Sequence, residues 1–187
     1  MNKLTNDEKV NILSFNYTNP FIEFKNDSMN MIKSIINVHG SCNEDNIIFG
    51  IDYTNELPTN AHIFTKTYRK MFQSKPTKIL DLSIETIKFY GHSLGVADYS
   101  YFQSIFDYCY IYDYMEANGT TVNLQFYFSV YDESKREEIT RNVTDSVYKL
   151  ITTYGENFDS VAKAKGKKLL HKLLLEGRIH IEFLPNI

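Results

Sequence analysis

The sequence predicts an α/β fold in which a mostly parallel sheet is flanked by helices. Three observations support this prediction. Short apolar runs rich in β-branched residues stop at glycines or polar loops, as buried strands do. Amphipathic segments lie between those runs, and strands that alternate with helices are typical of parallel sheets. The 187 residues suffice for one domain with a substantial core, so we predict a single α/β domain over residues 1–187.

Strands dominate the first half of the chain. Four apolar runs predict them: VNILSF (10–15), SIINVHG (34–40), NIIFGID (46–52) and TIKFYGHSL (86–94). Between the third and the fourth run, TNAHIFTKTYRKMF (59–72) has apolar residues at helical spacing and predicts a helix that Thr59 or Asn60 would cap.

Helices dominate the second half. The segment that begins at Asp98 predicts a helix with that residue as its cap, and residues 120–131 predict the strongest strand. Two helices (133–155 and 158–177), each ending at a glycine, and a closing strand (178–184) follow. The sheet therefore occupies about residues 8–131, and residues 132–187 form a helical tail with a closing strand.

Charge and cysteine content exclude several classes of function. A net charge of −3 gives no electrostatic reason to bind duplex DNA or a membrane surface. Cys42 and Cys109 are far apart and form no C-x-x-C motif, so the sequence predicts neither a disulfide framework nor a bound metal. The polar start and the absence of a long apolar run predict a cytoplasmic protein that does not enter membranes.

Polar residues follow several of the predicted strands. Asn16 follows the first, His39 and Gly40 follow the second, and residues 91–93 follow the glycine-turn strand; Ser129 lies near the end of the 120–131 strand. Ligands of parallel sheets bind at the carboxyl ends of strands, so these residues are the candidates for a binding site.

The turn GHSLG (91–95) spells the nucleophile elbow of a lipase. A serine esterase with Ser93 as nucleophile is therefore one alternative. It would need a later histidine on a loop, whereas His171 falls within a predicted helix and His180 within a predicted strand. Large aromatic residues also follow the turn, where an elbow needs small ones for close packing.

Four motifs resemble the bacterial abortive-infection family AbiH, and they occur in order over the chain to about residue 130. They are LSFNYTNPF (13–21), NVHGS (37–41), IIFGID (47–52) and FYGHSLGVADYSYF (89–102). That family is in turn distantly similar to sirtuins, which have a Rossmann-like fold and bind NAD. The resemblance implies an anti-phage protein with a sirtuin-like site for NAD or another nucleotide.

The resemblance also implies roles for individual residues. His39 stands at the position of the sirtuin catalytic histidine, and Asn16 stands where sirtuins keep an asparagine after a strand. The implied reaction is that of an NAD glycohydrolase, in which the bound nicotinamide is already a cationic pyridinium before it is expelled and a histidine can accept the proton of the attacking water. The residues implied to contact the dinucleotide are Asn16, Tyr17, Gly40, Gly91, His92, Ser93, Leu94 and Ser129.

One departure from the family pattern concerns the start of the chain. Relatives begin with a strand and a turn resembling GNGFD, the counterpart of a phosphate-binding loop, and nothing before FNYT (15–18) matches it. We therefore expect a C-terminal portion without the first strand–helix unit, which a partner chain or a homo-oligomer would supply. On this expectation the isolated chain binds NAD weakly or not at all, and a non-catalytic module that docks on a partner is the other alternative.

Overall fold

Two parallel sheets form the framework of the chain, one in each of two units, residues 1–81 and 82–187. The computed structural model describes residues 9–18, 32–51, 58, 60–73, 78–81, 83–113 and 121–185. The predicted α/β class, with parallel strands and flanking helices, is confirmed. The single domain over residues 1–187 stays a prediction.

The described residues of the first unit contain two strands. Strand β1 (Val10–Ser14) pairs in parallel with β2 (Ile32–Asn37), and the last pair of the ladder joins Ser14 to Asn37. A 3₁₀ turn (Ala61–Phe64) leads into helix α1 (Lys66–Gln73), so the predicted helix over 59–72 is present with a tighter first turn. Of its two predicted caps, Asn60 makes no capping hydrogen bond with its side chain, and Thr59 lies outside the described residues.

The strand predicted over residues 46–52 is wrong in its described part. Residues 46–50 are irregular, and Ile51 forms a single bridge with Thr65. The backbone there makes loop contacts instead, because the Ile48 N–H donates to the His39 carbonyl over 2.8 Å. Gly50 lies so close to the next segment that a Cβ would be 2.6 Å from the carbonyl oxygen of Phe64.

In the part of the second unit that the structure describes, three parallel strands lie in the order β3, β4, β5. They are β3 (Thr86–Tyr90), β4 (Asn123–Phe128) and β5 (Ile179–Phe183). Helix α2 (Tyr99–Tyr108) connects β3 to β4, and α3 (Arg136–Glu156) follows β4. The predictions for these five elements are confirmed to within a few residues.

The helix predicted over residues 158–177 is wrong, because two short helices replace it. They are α4 (Lys163–Gly166) and α5 (Leu169–Leu175). The Asp159 carboxylate accepts hydrogen bonds from the N–H groups of Val161 and Ala162, which form a turn before α4. The interruption between the helices follows Gly166, whose backbone packs directly on that of Gly155 in α3.

The core of the second unit is aromatic and centres on β4. Phe126 is 2% exposed and stacks on Phe89 of β3, with ring centroids 4.5 Å apart. Phe102 and Phe106 of α2 meet Phe89 edge-on at 5.3 and 6.3 Å. Burying each such ring stabilises the fold by about 1.5–3 kcal/mol, and this packing holds the turn after β3 against α2.

Candidate functional site

Hydrogen bonds join the loop that follows β1 to the last residue of β2 and to the loop after β2. The side-chain amide of Asn37 donates to the carbonyl oxygen of Asn16 over 2.9 Å, and the Cys42 N–H donates to the carbonyl oxygen of Tyr17 over 2.8 Å. These bonds bring three predicted site residues, Asn16, Tyr17 and His39, to the carboxyl end of one parallel sheet. Asn16 is exposed there and Tyr17 is half-buried.

His39 lies in an aromatic cluster at this end of the sheet. It is 5% exposed, and its ring meets Phe15 edge-on at 5.7 Å and Tyr17 at 6.3 Å. The Tyr17 ring in turn lies 5.5 Å from that of Phe49, which is 63% exposed. A series of aromatic rings thus leads from a buried imidazole to a ring open to solvent.

Gly40 closes the loop that carries His39. Its φ of 79° is in the left-handed region that glycine favours, and a Cβ would lie 2.1 Å from the carbonyl oxygen of Asn46. The side chain of Asn46 accepts a hydrogen bond from the Ser41 N–H over 2.7 Å. No larger residue fits at position 40, so the glycine fixes the path of the backbone beside the imidazole.

Lys70 of α1 adds a cation to the same end of the sheet. Its Nζ donates to the carbonyl oxygen of Asn37 over 3.3 Å. Burial lowers the pKa of Lys70, and the nearby Glu44 carboxylate opposes that shift. The sequence did not indicate Lys70 as a site residue, because a lysine in an amphipathic helix is typical of a solvated face. It did not indicate Phe49 either, because that residue lay in a wrongly predicted strand.

Local contacts of the His92 side chain hold the turn GHSLG (91–95). The Leu94 N–H donates to Nδ1 of His92 over 2.8 Å, and Nε2 of His92 lies 3.3 Å from Oδ2 of Asp98. Gly91 and Leu94 have positive φ angles of 64° and 53°. Leu94 is 5% exposed, whereas Ser93 between these anchored residues is exposed.

Asp98 does not cap α2 with its side chain, so that prediction is wrong. It occupies the position before the helix without a capping hydrogen bond, because its carboxylate pairs with His92. Ser129 comes directly after β4 and is half-buried, next to Phe128, whose carbonyl oxygen accepts from the Leu184 N–H.

The turn lacks a donor that an esterase uses. In a nucleophile elbow the serine occupies the strained position, and the N–H of the following residue helps form the oxyanion hole. Here Leu94 has the left-handed conformation and its N–H is bonded to His92. His180 in β5 makes a 2.7 Å contact through Nε2 with the Gly177 carbonyl oxygen, and His171 is exposed on α5.

Among the residues that the structure describes, no three histidine, cysteine, aspartate or glutamate side chains lie close enough together to hold a metal ion. Within the same residues, every helix is too short or too polar to cross a bilayer.

Comparison with known proteins identifies the family. No curated protein and no solved structure matches the sequence. A family model described as "Bacteriophage abortive infection AbiH" matches residues 1–114 of the 187. This match covers more than half of the chain and includes all four motifs, from LSFNYTNPF (13–21) to FYGHSLGVADYSYF (89–102). The chain therefore belongs to the bacteriophage abortive infection AbiH family.

Proposed function

We propose that this AbiH-family protein binds NAD or a related nucleotide at the carboxyl end of the β1–β2 sheet, and that it acts there as an NAD hydrolase. Membership of the family implies a role in abortive infection of bacteriophage. The proposal adds a ligand and a reaction to that role. Its site works in the cytoplasm, where NAD is available to an anti-phage protein.

One observation carries the proposal: the loops after β1 and β2 are hydrogen-bonded to each other at the edge where parallel sheets bind ligands. The bond from Asn37 to Asn16 and the bond from Cys42 to Tyr17 fix the backbone beneath the exposed Asn16 side chain. A carboxamide offers both a donor and an acceptor, which suits the paired hydroxyls of a ribose.

The surroundings of Asn16 supply the other groups that a nucleotide needs. The exposed ring of Phe49 offers a surface on which a base can stack, and such stacking is worth about 1–3 kcal/mol per base. Lys70 reaches the same end of the sheet and can neutralise a phosphate. Base, sugar and phosphate thus each have a chemically suitable partner within the first unit.

Hydrolysis would use His39 as the base. The bond between C1′ of the ribose and the pyridinium nitrogen breaks, its electron pair neutralises the nitrogen, and nicotinamide leaves uncharged. Water forms the new bond to C1′ and gives its proton to the imidazole of His39. An Asn16 amide can hold this water or the ribose hydroxyls without changing charge.

Calorimetric titration with NAD, of the chain alone and together with the protein encoded immediately upstream, tests the binding step. We expect Asn16→Ala and Lys70→Met each to weaken binding by about tenfold, the loss typical of one hydrogen bond or ionic contact. Arg69→Met is the matched control, because it removes an exposed positive charge one residue away on the same helix and should leave the affinity nearly unchanged. Equal affinities of all four proteins would contradict the proposed location.

Phage challenge of cells that express the chain tests the reaction. We expect wild type to deplete cellular NAD on infection and His39→Gln to abolish both depletion and protection, with thermal melts confirming that the variant folds. Each measurement is made with and without the protein encoded immediately upstream, to test the proposed partner chain. Protection that persists in His39→Gln without any change in NAD would instead support a non-catalytic docking module.

A further inference from the structure

Strand β5 lies at one edge of the sheet in the second unit. Among the strands that the structure describes, its one neighbour is β4. The Leu124 N–H donates to the carbonyl oxygen of Arg178 over 2.7 Å. At the other end of the strand, the Leu184 N–H donates to the carbonyl oxygen of Phe128 over 2.8 Å. The even-numbered residues of this segment thus direct their backbone groups at β4, and the odd-numbered residues direct theirs away from it, because the direction alternates along a strand.

The outward-facing residues of β5 are Ile179, Ile181 and Phe183, and they form a set that is symmetric about its middle member. Before them, Gly177 has a φ of 64° and belongs to a turn. After them, the next outward position is Pro185, which has no N–H to donate. Such an edge can pair in antiparallel with an identical edge, because each end of one strand then meets the opposite end of the other.

The side chains of β5 favour one register of that pairing. When Ile181 faces Ile181 of a second copy, Ile179 faces Phe183 and His180 faces Glu182. All three outward residues then exchange backbone hydrogen bonds, and a histidine faces a carboxylate on each side of the two-fold axis. The two neighbouring registers of the same type would instead place His180 against His180, or Glu182 against Glu182, and would pair fewer outward groups. Nε2 of His180 contacts the Gly177 carbonyl oxygen over 2.7 Å, so in the protonated ring the Nδ1–H can donate to the facing carboxylate.

The exposure of the β5 side chains suits such a contact. Ile181 lies opposite Phe126 in the ladder and therefore on the same face of the sheet, yet Ile181 is 36% exposed whereas Phe126 is 2% exposed. A second strand at hydrogen-bonding distance would place another Ile181 beside it and remove apolar surface from water. His180 and Glu182 are exposed, so they can pair without the large cost of taking buried charges out of water.

We propose that the edge of β5 is a docking surface for a second copy of this chain. The two copies pair in antiparallel about a two-fold axis at Ile181 and join two three-stranded sheets into one sheet of six strands. The contact uses the second unit alone and is independent of the proposed nucleotide site. It also differs from the expected supply of a first strand–helix unit, because it adds no strand to the first unit. Since a single strand edge buries little surface, the dimer should form reversibly and depend on protein concentration.

Hydrogen exchange of the full chain, resolved by residue and measured over a range of protein concentrations, tests the pairing without any variant. Sedimentation equilibrium should show a mass that rises toward that of two chains as the concentration increases. Over the same range, the amides of Ile179, Ile181 and Phe183 should become protected, whereas those of His180 and Glu182, which face β4, should be protected throughout. A mass of one chain at every concentration, or outward amides that never gain protection, would overturn the proposal.

Charge variants test which residues face each other. At about pH 6, where imidazoles are largely protonated, Glu182→Lys should weaken the dimer about tenfold, because each histidine then faces a lysine. Adding His180→Glu to that variant places opposite charges together again and should restore the dimer. Glu156→Lys is the matched control, because it makes the same change at an exposed position at the end of α3 and should leave the dimer unchanged. Equal dissociation constants of wild type and Glu182→Lys, or no recovery in the double variant, would contradict the pairing.

Disulfide cross-linking tests the register directly. Cys42 is exposed, so the variants are made in a Cys42→Ser background. Residues 180 and 182 form a pair without mutual backbone hydrogen bonds, in which the Cα atoms lie about 4.5 Å apart, a separation that a disulfide can span. We therefore expect a mixture of the His180→Cys and Glu182→Cys proteins to give cross-linked dimers on mild oxidation, and either protein alone to give far fewer. Cross-linking that is equally efficient in each protein alone, or absent from the mixture, would overturn the register.

Discussion

The backbone N–H of Leu94 donates a 2.8 Å hydrogen bond to Nδ1 of His92. An esterase would use that same N–H to stabilise the oxyanion of its tetrahedral intermediate. We therefore expect a fluorophosphonate probe, which reacts with activated serines, to leave Ser93 unmodified when the intact protein is analysed by mass spectrometry. Labelling that disappears in Ser93→Ala would restore the esterase alternative.

Arg178 is 3% exposed and satisfies two backbone carbonyls of the second unit. Its Nε donates to Val122 over 3.0 Å and its Nη2 to Ile111 over 2.8 Å, while Nη1 pairs with Glu176 at 2.9 Å. Replacing it with methionine keeps the apolar stem but leaves both carbonyls without these donors. We expect Arg178→Met to lower the free energy of unfolding in urea by about 3 kcal/mol.

Arg141→Met is the control for this prediction. Arg141 is exposed on α3 and forms a single pair with Glu137, four residues earlier. Such exposed pairs contribute about 0.5 kcal/mol or less. Losses of similar size in the two variants would show that the Arg178 hydrogen bonds contribute little.

Gly155 and Gly166 allow the backbones of α3 and α4 to touch. A Cβ on Gly155 would lie 2.3 Å from the carbonyl oxygen of Gly166, where a backbone atom cannot easily move. Although alanine favours helices by about 1 kcal/mol over glycine, we expect the clash to dominate and Gly155→Ala to destabilise the protein by about 1–3 kcal/mol. Chemical denaturation measures this loss.

Gly95→Ala provides the comparison. Its φ is −67°, and the nearest atom to an added Cβ is 3.6 Å away, so the substitution should change stability by less than about 0.5 kcal/mol. A neutral Gly155→Ala would mean that the two helices separate without loss.

Tyr154 makes the free energy of unfolding depend on pH in the alkaline range. Burial raises the pKa of Tyr154 well above its ordinary value of 10.0, and the hydrogen bond from its hydroxyl to Asp107, 2.7 Å long, raises it further. The folded protein thus retains a proton that the unfolded chain releases above about pH 10. The contribution of Tyr154 to the free energy of unfolding is therefore fully present below that pH and is lost as the pH rises above it. We expect a smaller decline for Tyr154→Phe, measured by urea unfolding at about pH 8 and about pH 10.5.

Tyr131→Phe tests whether the effect belongs to the buried hydroxyl. Tyr131 is 95% exposed, so removal of its hydroxyl should leave the alkaline decline of wild type unchanged. Burial also raises the pKa of Tyr99 and of Tyr127, and part of the decline should therefore persist in Tyr154→Phe. An undiminished decline in Tyr154→Phe would contradict the assignment.

Local patterns were enough to predict the five strands of the described chain. Each is a short apolar run with a polar or glycine boundary, and such a run depends little on distant residues. Because the strands are parallel, the residues after β1 and β2 could also be expected at one edge of a sheet, as Asn16 and His39 are.

The sequence-based predictions of secondary structure were wrong where backbone segments that are distant in sequence approach each other. The apolar letters of residues 46–51 resemble a strand, but contacts with His39 and with residues 64–66 determine their path. A glycine is tolerated within a helix, so Gly166 alone did not indicate that the predicted helix over 158–177 is interrupted. The residue on which Gly166 packs, Gly155, belongs to another helix. The pairing of His92 with Asp98 follows no regular spacing, so a sequence pattern could not indicate it.

The parallel order of β3, β4 and β5 has a consequence for synthesis on the ribosome. Thr86 faces Asn123, and Leu124 faces Ile179, so the central strand obtains its second neighbour only from β5, which follows helices α3 to α5 along the chain. Until β5 has left the exit tunnel, one edge of β4 and its aromatic side chains lack their final neighbours. Contacts of such long sequence separation form slowly, so this edge of β4 stays open to wrong pairing until β5 is in place.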